Sequence, residues 1–346
     1  MKKGLLFTLI LLFLFAACRH SDTRLQYADA LSEQNETDSA ELILAGIEQP
    51  EKLSKSDNAL YALMTVEKAR REGKGGMEAD SLLSVALEYY RNTTDSLHLL
   101  RVMYTYGRLA FIFHRNEEAM KYLLEALHYS NARAVSDDWR YAVNTWAGVV
   151  AAKERLFEDK IHYSQKALKL AKKMKNSSYE CTSLGDIAYG HLFKGRYDSA
   201  LHYTKVMHEV ALRDSLFDKL PYIYTRFLGI YIQQEKYELA LEYVNEALSL
   251  RKDSVNIWGH YSEKSLIFGK LGQFDSAYYY FLKSAPCPDP YTQEARYYNI
   301  ADAYHSAGRF KDAYLSLLHY TEIDDSIKEK AKSTELIAMQ NLYQHE

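Results

Sequence analysis

Helix breakers are scarce in this chain. Its 346 residues include five prolines and fifteen glycines, together well under the usual combined share of about 12%. That leaves too few turn formers for a β-rich fold and favours long helices. Cysteines number three, too few for the disulfide framework that holds small secreted domains together. Neither sign of charge dominates: 43 Lys and Arg against 46 Asp and Glu give a formal charge of −3. The chain therefore lacks the positive field that captures nucleic acid directly. What it does have is apolar mass, 47% of residues against 26% charged. Disorder is excluded as the main state, and a sizeable core can be buried.

The N-terminal apolar run after Met1-Lys2-Lys3 covers Gly4–Ala17, 14 residues. It falls short of the roughly 20 that span a bilayer and suits the h-region of a signal peptide. It ends Leu14-Phe15-Ala16-Ala17-Cys18, which resembles a bacterial lipobox, with Phe15 where an aliphatic residue is usual. The resemblance implies a signal peptide at 1–17, lipidation of Cys18 and a lipidated tether at 18–24. The expected location is the cell envelope, on a bacterial membrane and facing the periplasm or the outer surface. Cleavage after Ala17 without lipidation is the alternative reading. The remaining thiols, Cys181 and Cys287, lie 106 residues apart and are expected to be unpaired.

One string recurs: a turn, an aromatic, two residues, then a small residue opening an apolar face. It reads Gly195-Arg196-Tyr197-Asp198-Ser199-Ala200, Gly272-Gln273-Phe274-Asp275-Ser276-Ala277 and Gly308-Arg309-Phe310-Lys311-Asp312-Ala313. Glu235-Lys236-Tyr237-Glu238-Leu239-Ala240 is a fourth copy, and weaker ones centre on Ala40, Ala79, Ala119 and Lys160. The eight anchors stand 39, 40, 41, 40, 40, 37 and 36 residues apart. Ala240, Leu241, Val244, Ala247 and Leu248 follow helical steps, so one face is apolar and must be covered by neighbouring helices.

These residues resemble the tetratricopeptide repeat family. Its second helix carries Gly-x-aromatic-x-x-Ala, and its first helix has a small residue 12 positions before the anchor. Gly107, Gly148, Ala188 and Ala301 fit that position, while Leu228 and Ser265 depart from it. HEAT and armadillo repeats share the period but lack the aromatic-x-x-Ala turn. The resemblance implies an all-α, tetratricopeptide-like α-solenoid over residues 25–320, of about eight helix pairs in units of roughly 40 residues, with a concave groove lined by first helices. A helical extension at 321–346 is expected to follow.

Asp-Ser pairs supply side-chain oxygens for the free N–H groups of a new helix. Asp95-Ser96, Asp214-Ser215, Asp253-Ser254 and Asp325-Ser326 are expected to open first helices, and Asp38-Ser39, Asp198-Ser199 and Asp275-Ser276 second helices. The run Ala285-Pro286-Cys287-Pro288-Asp289-Pro290 reads as an irregular connector.

Signatures of chemistry are missing. The twelve histidines form no His-Glu-x-x-His pair, and no zinc-type Cys/His spacing, Gly-x-Gly-x-x-Gly, Walker A or Gly-x-Ser-x-Gly string occurs. No catalytic residue, cofactor or metal is expected. Tyrosines, by contrast, number 30. Tyr197 and Tyr237 occupy the repeat aromatic and are expected in the core, whereas Tyr278-Tyr279-Tyr280 must expose at least one ring. Placing each unit on the family pattern puts Arg101, Tyr104, Arg108, Thr145, Asp186, Tyr189, Tyr222, Arg226, Tyr298, Asn299, Asp302 and His305 on or near the concave face. Tyr and Arg are frequent binding hot spots, so the leading expectation is a non-catalytic, membrane-anchored scaffold for a peptide or protein partner. A second reading comes from the tail around Ser333–Tyr343, which resembles the stretch after the repeats in exported bacterial regulators. It makes the chain the sensor half of a transmembrane signalling protein whose output part is missing or separate.

Overall fold

The computed structural model describes residues 22–72, 77–250, 257–285 and 287–343, excluding the side chains of 77, 78 and 330–343. The signal segment, Cys18 and most of the tether lie outside the described residues, as do Asp253-Ser254 and Pro286. Among the described residues there are sixteen α-helices and no strand. They form an all-α solenoid of consecutive hairpins: α1 (Thr23–Glu33) with α2 (Thr37–Ala45), α3 (Lys55–Arg71) with α4 (Met77–Arg91), α5 (Ser96–Ile112) with α6 (Asn116–Tyr129), and α7 (Asp137–Lys153) with α8 (Phe157–Met174). The series continues with α9 (Ser177–Phe193) and α10 (Tyr197–Arg213), α11 (Leu220–Gln233) and α12 (Tyr237–Leu250), α13 (Ile257–Lys270) and α14 (Phe274–Lys283), and α15 (Pro290–Ser306) and α16 (Phe310–Tyr343). Packing divides the chain into two compact units, Met1–Val143 and Asn144–Glu346, with the boundary inside α7.

The recurring string has a structural cause. In seven hairpins one residue of the turn adopts the left-handed conformation: Asn35, His114, Arg155, Gly195, Glu235, Gly272 and Gly308, with φ between 57° and 72°. The amide of the next residue then bonds back into the first helix. Examples are Arg115 N to Ala110 O at 2.8 Å, Arg196 N to His191 O at 2.9 Å and Arg309 N to Tyr304 O at 2.8 Å. This closure satisfies carbonyls left over at the helix end. Glycine meets the backbone requirement without a Cβ clash, so the three glycine copies are the most legible ones.

Behind each turn the anchor packs against the first helix. Ala40, Ala79, Ala119, Ala200, Ala240, Ala277 and Ala313 are all buried. In the first unit Leu25, Ala28, Leu31, Leu44, Leu60 and Met64 close one cluster. In the second, Leu184, Met207, Ile223, Phe227, Leu228 and Val244 close another that runs through α9 to α12. Fully burying a side chain of this size contributes about 1.5–3 kcal/mol, and each hairpin obtains that only from its neighbours. The departures at the close-approach position are absorbed locally. Leu228 is fully buried, and Ser265 donates its hydroxyl to the Ala277 carbonyl at 2.8 Å.

Several local expectations change. Asp95 caps α5, accepting from His98 N at 3.1 Å. Asp214, however, ends α10, Ser215 turns left-handed at φ 57°, and a short 3₁₀ turn at Phe217–Lys219 precedes α11. Asp325-Ser326 lies inside α16, which runs unbroken for 34 residues. The Asp-Ser pairs at Asp38, Asp198 and Asp275 sit in the first turns of their helices, after caps that make no side-chain bond. The backbone bonds of these turns close the end of the first helix, and the carboxylates act on the dipole of the second. Pro290 opens α15 at its first position, where no N–H is needed, behind a capping Asp289. The repeat aromatics Tyr197 and Tyr237 are half-buried rather than core, and Tyr237 packs against the edge of the second-unit cluster. Cys181 and Cys287 are free and buried.

Candidate functional site

One charge interrupts the alanine pattern of the anchors. Lys160 holds the anchor position of the fourth hairpin, where the other seven have alanine. It is 3% exposed. Its stem passes the bare face of Gly148, where a Cβ would lie 3.3 Å from Lys160 Cδ. The ammonium reaches α9 and pairs with Asp186 Oδ1 at 2.8 Å. Burial pulls the Lys160 pKa below its usual value, the Asp186 charge and hydrogen bond resist, and Arg226 adds to the pull.

Next to this pair stands Arg226 on α11. Its guanidinium carbon lies 4.8 Å from the Tyr189 ring centroid and 4.7 Å from that of Tyr222. Nε donates to the Tyr222 hydroxyl at 3.1 Å, and Nη2 donates to the same oxygen. Tyr222 is 38% exposed, and Gly185 makes room for its ring. A Cβ at Gly185 would stand 3.1 Å from Tyr222 Cε1 and 3.3 Å from its hydroxyl. Tyr189 continues into a tilted pair with Phe193, centroids 4.5 Å apart. Four of the residues expected on the first-helix face, Asp186, Tyr189, Tyr222 and Arg226, are therefore brought together on α9 and α11. Lys160 and Gly185 complete the group. Their signals in the sequence were a charge at an alanine position and a glycine inside a helix.

In the first unit the outcome differs. Arg101 is fully enclosed. Nε and Nη2 grip Glu67 at 3.1 and 2.7 Å, Nη1 meets Asp29, and Glu33 lies 3.3 Å away. The guanidinium also lies against Trp139, 5.7 Å from its ring. Arg101 is thus corrected from a groove anchor to an internal tie among α1, α3 and α5, because neighbouring first helices close over it. His98 joins the same network, its Nδ1 2.6 Å from Asp95 and its Nε2 2.9 Å from Asp29. Burial disfavours the imidazolium, but the bonds to Asp29 and Asp95 outweigh it and push the pKa up to about 9. Asp29 is likewise opposed by burial, and His98 and Arg101 hold it down at about 2. Tyr104 is buried, its ring edge-on to Trp139 at 5.5 Å. Arg108 donates to the Tyr104 hydroxyl at 3.3 Å.

The remaining expected residues do not converge. Thr145 is half-buried, and its hydroxyl oxygen is enclosed without a hydrogen-bond partner among the described residues. Asn299 donates to Ser262 Oγ at 3.0 Å, and Asp302 pairs with Lys270 at 2.8 Å. Tyr298 is 54% exposed against Tyr320, and His305 is edge-on to Phe310. Among the described residues no group of three or more His, Cys, Asp or Glu is placed to hold a metal, and no helix is long and apolar enough to cross a membrane.

Residues 221–254, the α11–α12 segment, match the tetratricopeptide repeat family profile. The chain carries tetratricopeptide repeats. No curated sequence matches it. Solved tetratricopeptide-like structures share its fold at low identity. The apo quorum sensor NprR from B. thuringiensis aligns at TM-score 0.65 and 17% identity, over 92% of this chain and 98% of that one. NprR in complex with its cognate peptide NprX aligns at 0.61 and 17%, over 93% and 98%. A tetratricopeptide repeat protein from Parabacteroides merdae ATCC 43184 aligns at 0.60 and 13%, over 82% and 99%. The repeats thus belong to a fold that is also used by a peptide-binding regulator.

Proposed function

We propose that this chain is a non-catalytic scaffold that holds a peptide or protein against the first-helix face of its repeats, and that lipid on Cys18 tethers it to a bacterial envelope membrane, facing the periplasm. The observation that carries the binding reading is the Asp186–Tyr189–Tyr222–Arg226 group. It presents aromatic surface and a fixed cation on consecutive first helices, the residue types that dominate binding energy at interfaces. The likeness to NprR, solved with its peptide NprX, supports a peptide as the ligand. The Lys2-Lys3 start, the short apolar run and Ala16-Ala17-Cys18 support the tether.

Panning a random peptide library against the full chain tests the binding reading. Selected peptides are expected to lose affinity at least tenfold when Tyr189 and Tyr222 are both changed to Ala. Equal binding by that variant would move the site away from this face. Fractionation tests the tether: Cys18→Ala should leave the membrane pellet, and an unchanged distribution would refute lipidation.

The length of α16, 34 residues continuing past the last hairpin, favours the second reading, a sensor half that passes a signal to a separate output protein. An adjoining gene for a transmembrane output protein supports that version, and the absence of one counts against it.

A further inference from the structure

We infer that the last hairpin is covered by a second copy of this chain, the two α16 helices pairing antiparallel about a two-fold axis. Nothing in this depends on the first-helix face. In the seventh hairpin, Phe274, Tyr278 and Phe281 stand three residues before, one after and four after the anchor Ala277. They seat the next first helix: Phe274 and Tyr278 meet Tyr304 of α15 with ring centroids 5.2 and 6.5 Å apart, and Phe281 meets Tyr297 at 5.6 Å. The same three positions around Ala313 hold Phe310, Tyr314 and Leu317. No helix follows α16 among the described residues, and these side chains are 65%, 62% and 43% exposed, with Leu318 also exposed beside them. A solenoid ordinarily ends in a repeat whose outer face is polar. This last hairpin instead presents the apolar seat of an internal one.

The occupant is written along α16 itself. The helix has 34 residues against 17 in α15, so roughly half of its ~51 Å continues past its own hairpin. The stripe that begins Phe310, Tyr314, Leu317 ends Leu336, Met339, Tyr343, with Asp325 and Lys328 at its centre. From Tyr314 to Asp325 to Leu336, and from Leu317 to Lys328 to Met339, each step is 11 residues. That repeat is close enough to the helical period to keep these positions on one face. The spacing also reads the same from either end. In an antiparallel pair whose axis crosses between positions 326 and 327, Phe310 lies opposite the partner's position 343, Tyr314 opposite 339 and Leu317 opposite 336. Apolar residues meet at both ends of the seam, and Asp325 lies opposite the partner's Lys328 twice over. Parallel pairing in register would set Asp325 on Asp325 and Lys328 on Lys328, and such like-charge contacts specify against it. The direction fits as well. Successive helices of the array run antiparallel, so the partner's α16 enters the seat in the sense of a first helix and makes an isologous contact that closes on itself.

Disulfide cross-linking of full chains in intact cells tests the arrangement. Two differently tagged copies are expressed together, one Leu317→Cys and the other Leu336→Cys. A disulfide needs Cα atoms within about 7 Å, which the antiparallel register provides, so oxidation should give a mixed dimer. Leu317→Cys in both copies should give none, because those sites are then about 28 Å apart along the pair. The unsubstituted chain, with Cys181 and Cys287 buried, sets the background. Sedimentation equilibrium of the full chain in detergent should show a dimer. Tyr314→Glu with Leu317→Glu should weaken it about tenfold or more at unchanged helicity, since both side chains are exposed in the single chain. A chain of monomer mass throughout, or a dimer that survives the two glutamates, would overturn the inference. So would Leu317–Leu317 cross-links as strong as the mixed ones, which mark a parallel pair, or cysteines on α16 that join only to a different protein.

Discussion

His98→Gln offers the sharpest test of how the first unit is held together. Both imidazole nitrogens face carboxylates, Asp95 at 2.6 Å and Asp29 at 2.9 Å, with the Tyr90 ring stacked 5.0 Å away and Arg101 sharing Asp29. The folded pKa of about 9 stands above an unfolded value near 6.5, and at about 1.36 kcal/mol per pH unit the gap corresponds to ~3 kcal/mol. The pKa is raised on folding, so this stability is fully present below pH ~6.5 and drains away as pH rises through 9. Asp29 is depressed to about 2, so its contribution is present above pH ~4 and is lost as pH falls through 2. The two shifts describe one hydrogen-bonded pair from its two ends and are not added. Urea titrations of wild type and His98→Gln, followed by circular dichroism from pH 6 to pH 10, should show a difference of ~3 kcal/mol at pH 6 that shrinks steadily between pH ~6.5 and 9 and has nearly vanished by pH 10. Curves that stay parallel across that range would refute the network as drawn.

Three further variants probe the second unit by thermal and urea denaturation. Asp186→Ala leaves the Lys160 ammonium buried and unpaired and should cost about 3 kcal/mol, whereas Lys160→Met with Asp186→Asn should fall within about 1 kcal/mol of wild type; equal losses would mean that the pair is not the reason for the cost. Gly185→Ala places a methyl 3.1 Å from Tyr222 Cε1 and 3.2 Å from Met207 Sδ and should cost about 1–2 kcal/mol, with a change in near-ultraviolet dichroism as Tyr222 moves; an unaltered spectrum would show that the ring does not use this seat.

The hairpins were legible because their rules are local. A left-handed turn residue, an alanine about one turn into the next helix and an apolar stripe all follow from backbone closure and close packing, and those constraints recur from hairpin to hairpin. Asp-Ser pairs misled at Asp214 and Asp325 because a capping side chain matters only where the preceding backbone has already left the helix. Arg101 was misplaced for a different reason. Its position along α5 matches that of exposed Tyr222 along α11, yet Glu67 on α3 and Asp29 on α1 close over it, and residues that distant in sequence leave no periodic trace. Glu67 stands 12 positions before Ala79, where five other hairpins have Gly or Ala, and Lys160 stands where the others have Ala. These two charged breaks in the small-residue rule are buried, and each has its partner one hairpin further along.

The bridge from Lys160 to Asp186 also restricts how such a chain can change. Repeat arrays are often treated as modular, open to duplication, deletion or shuffling of whole segments. Here the fourth segment carries a cation that only the fifth can neutralise. Excising, doubling or swapping either one would strand an ion inside the core, so these two segments can be inherited or transplanted only as a matched set.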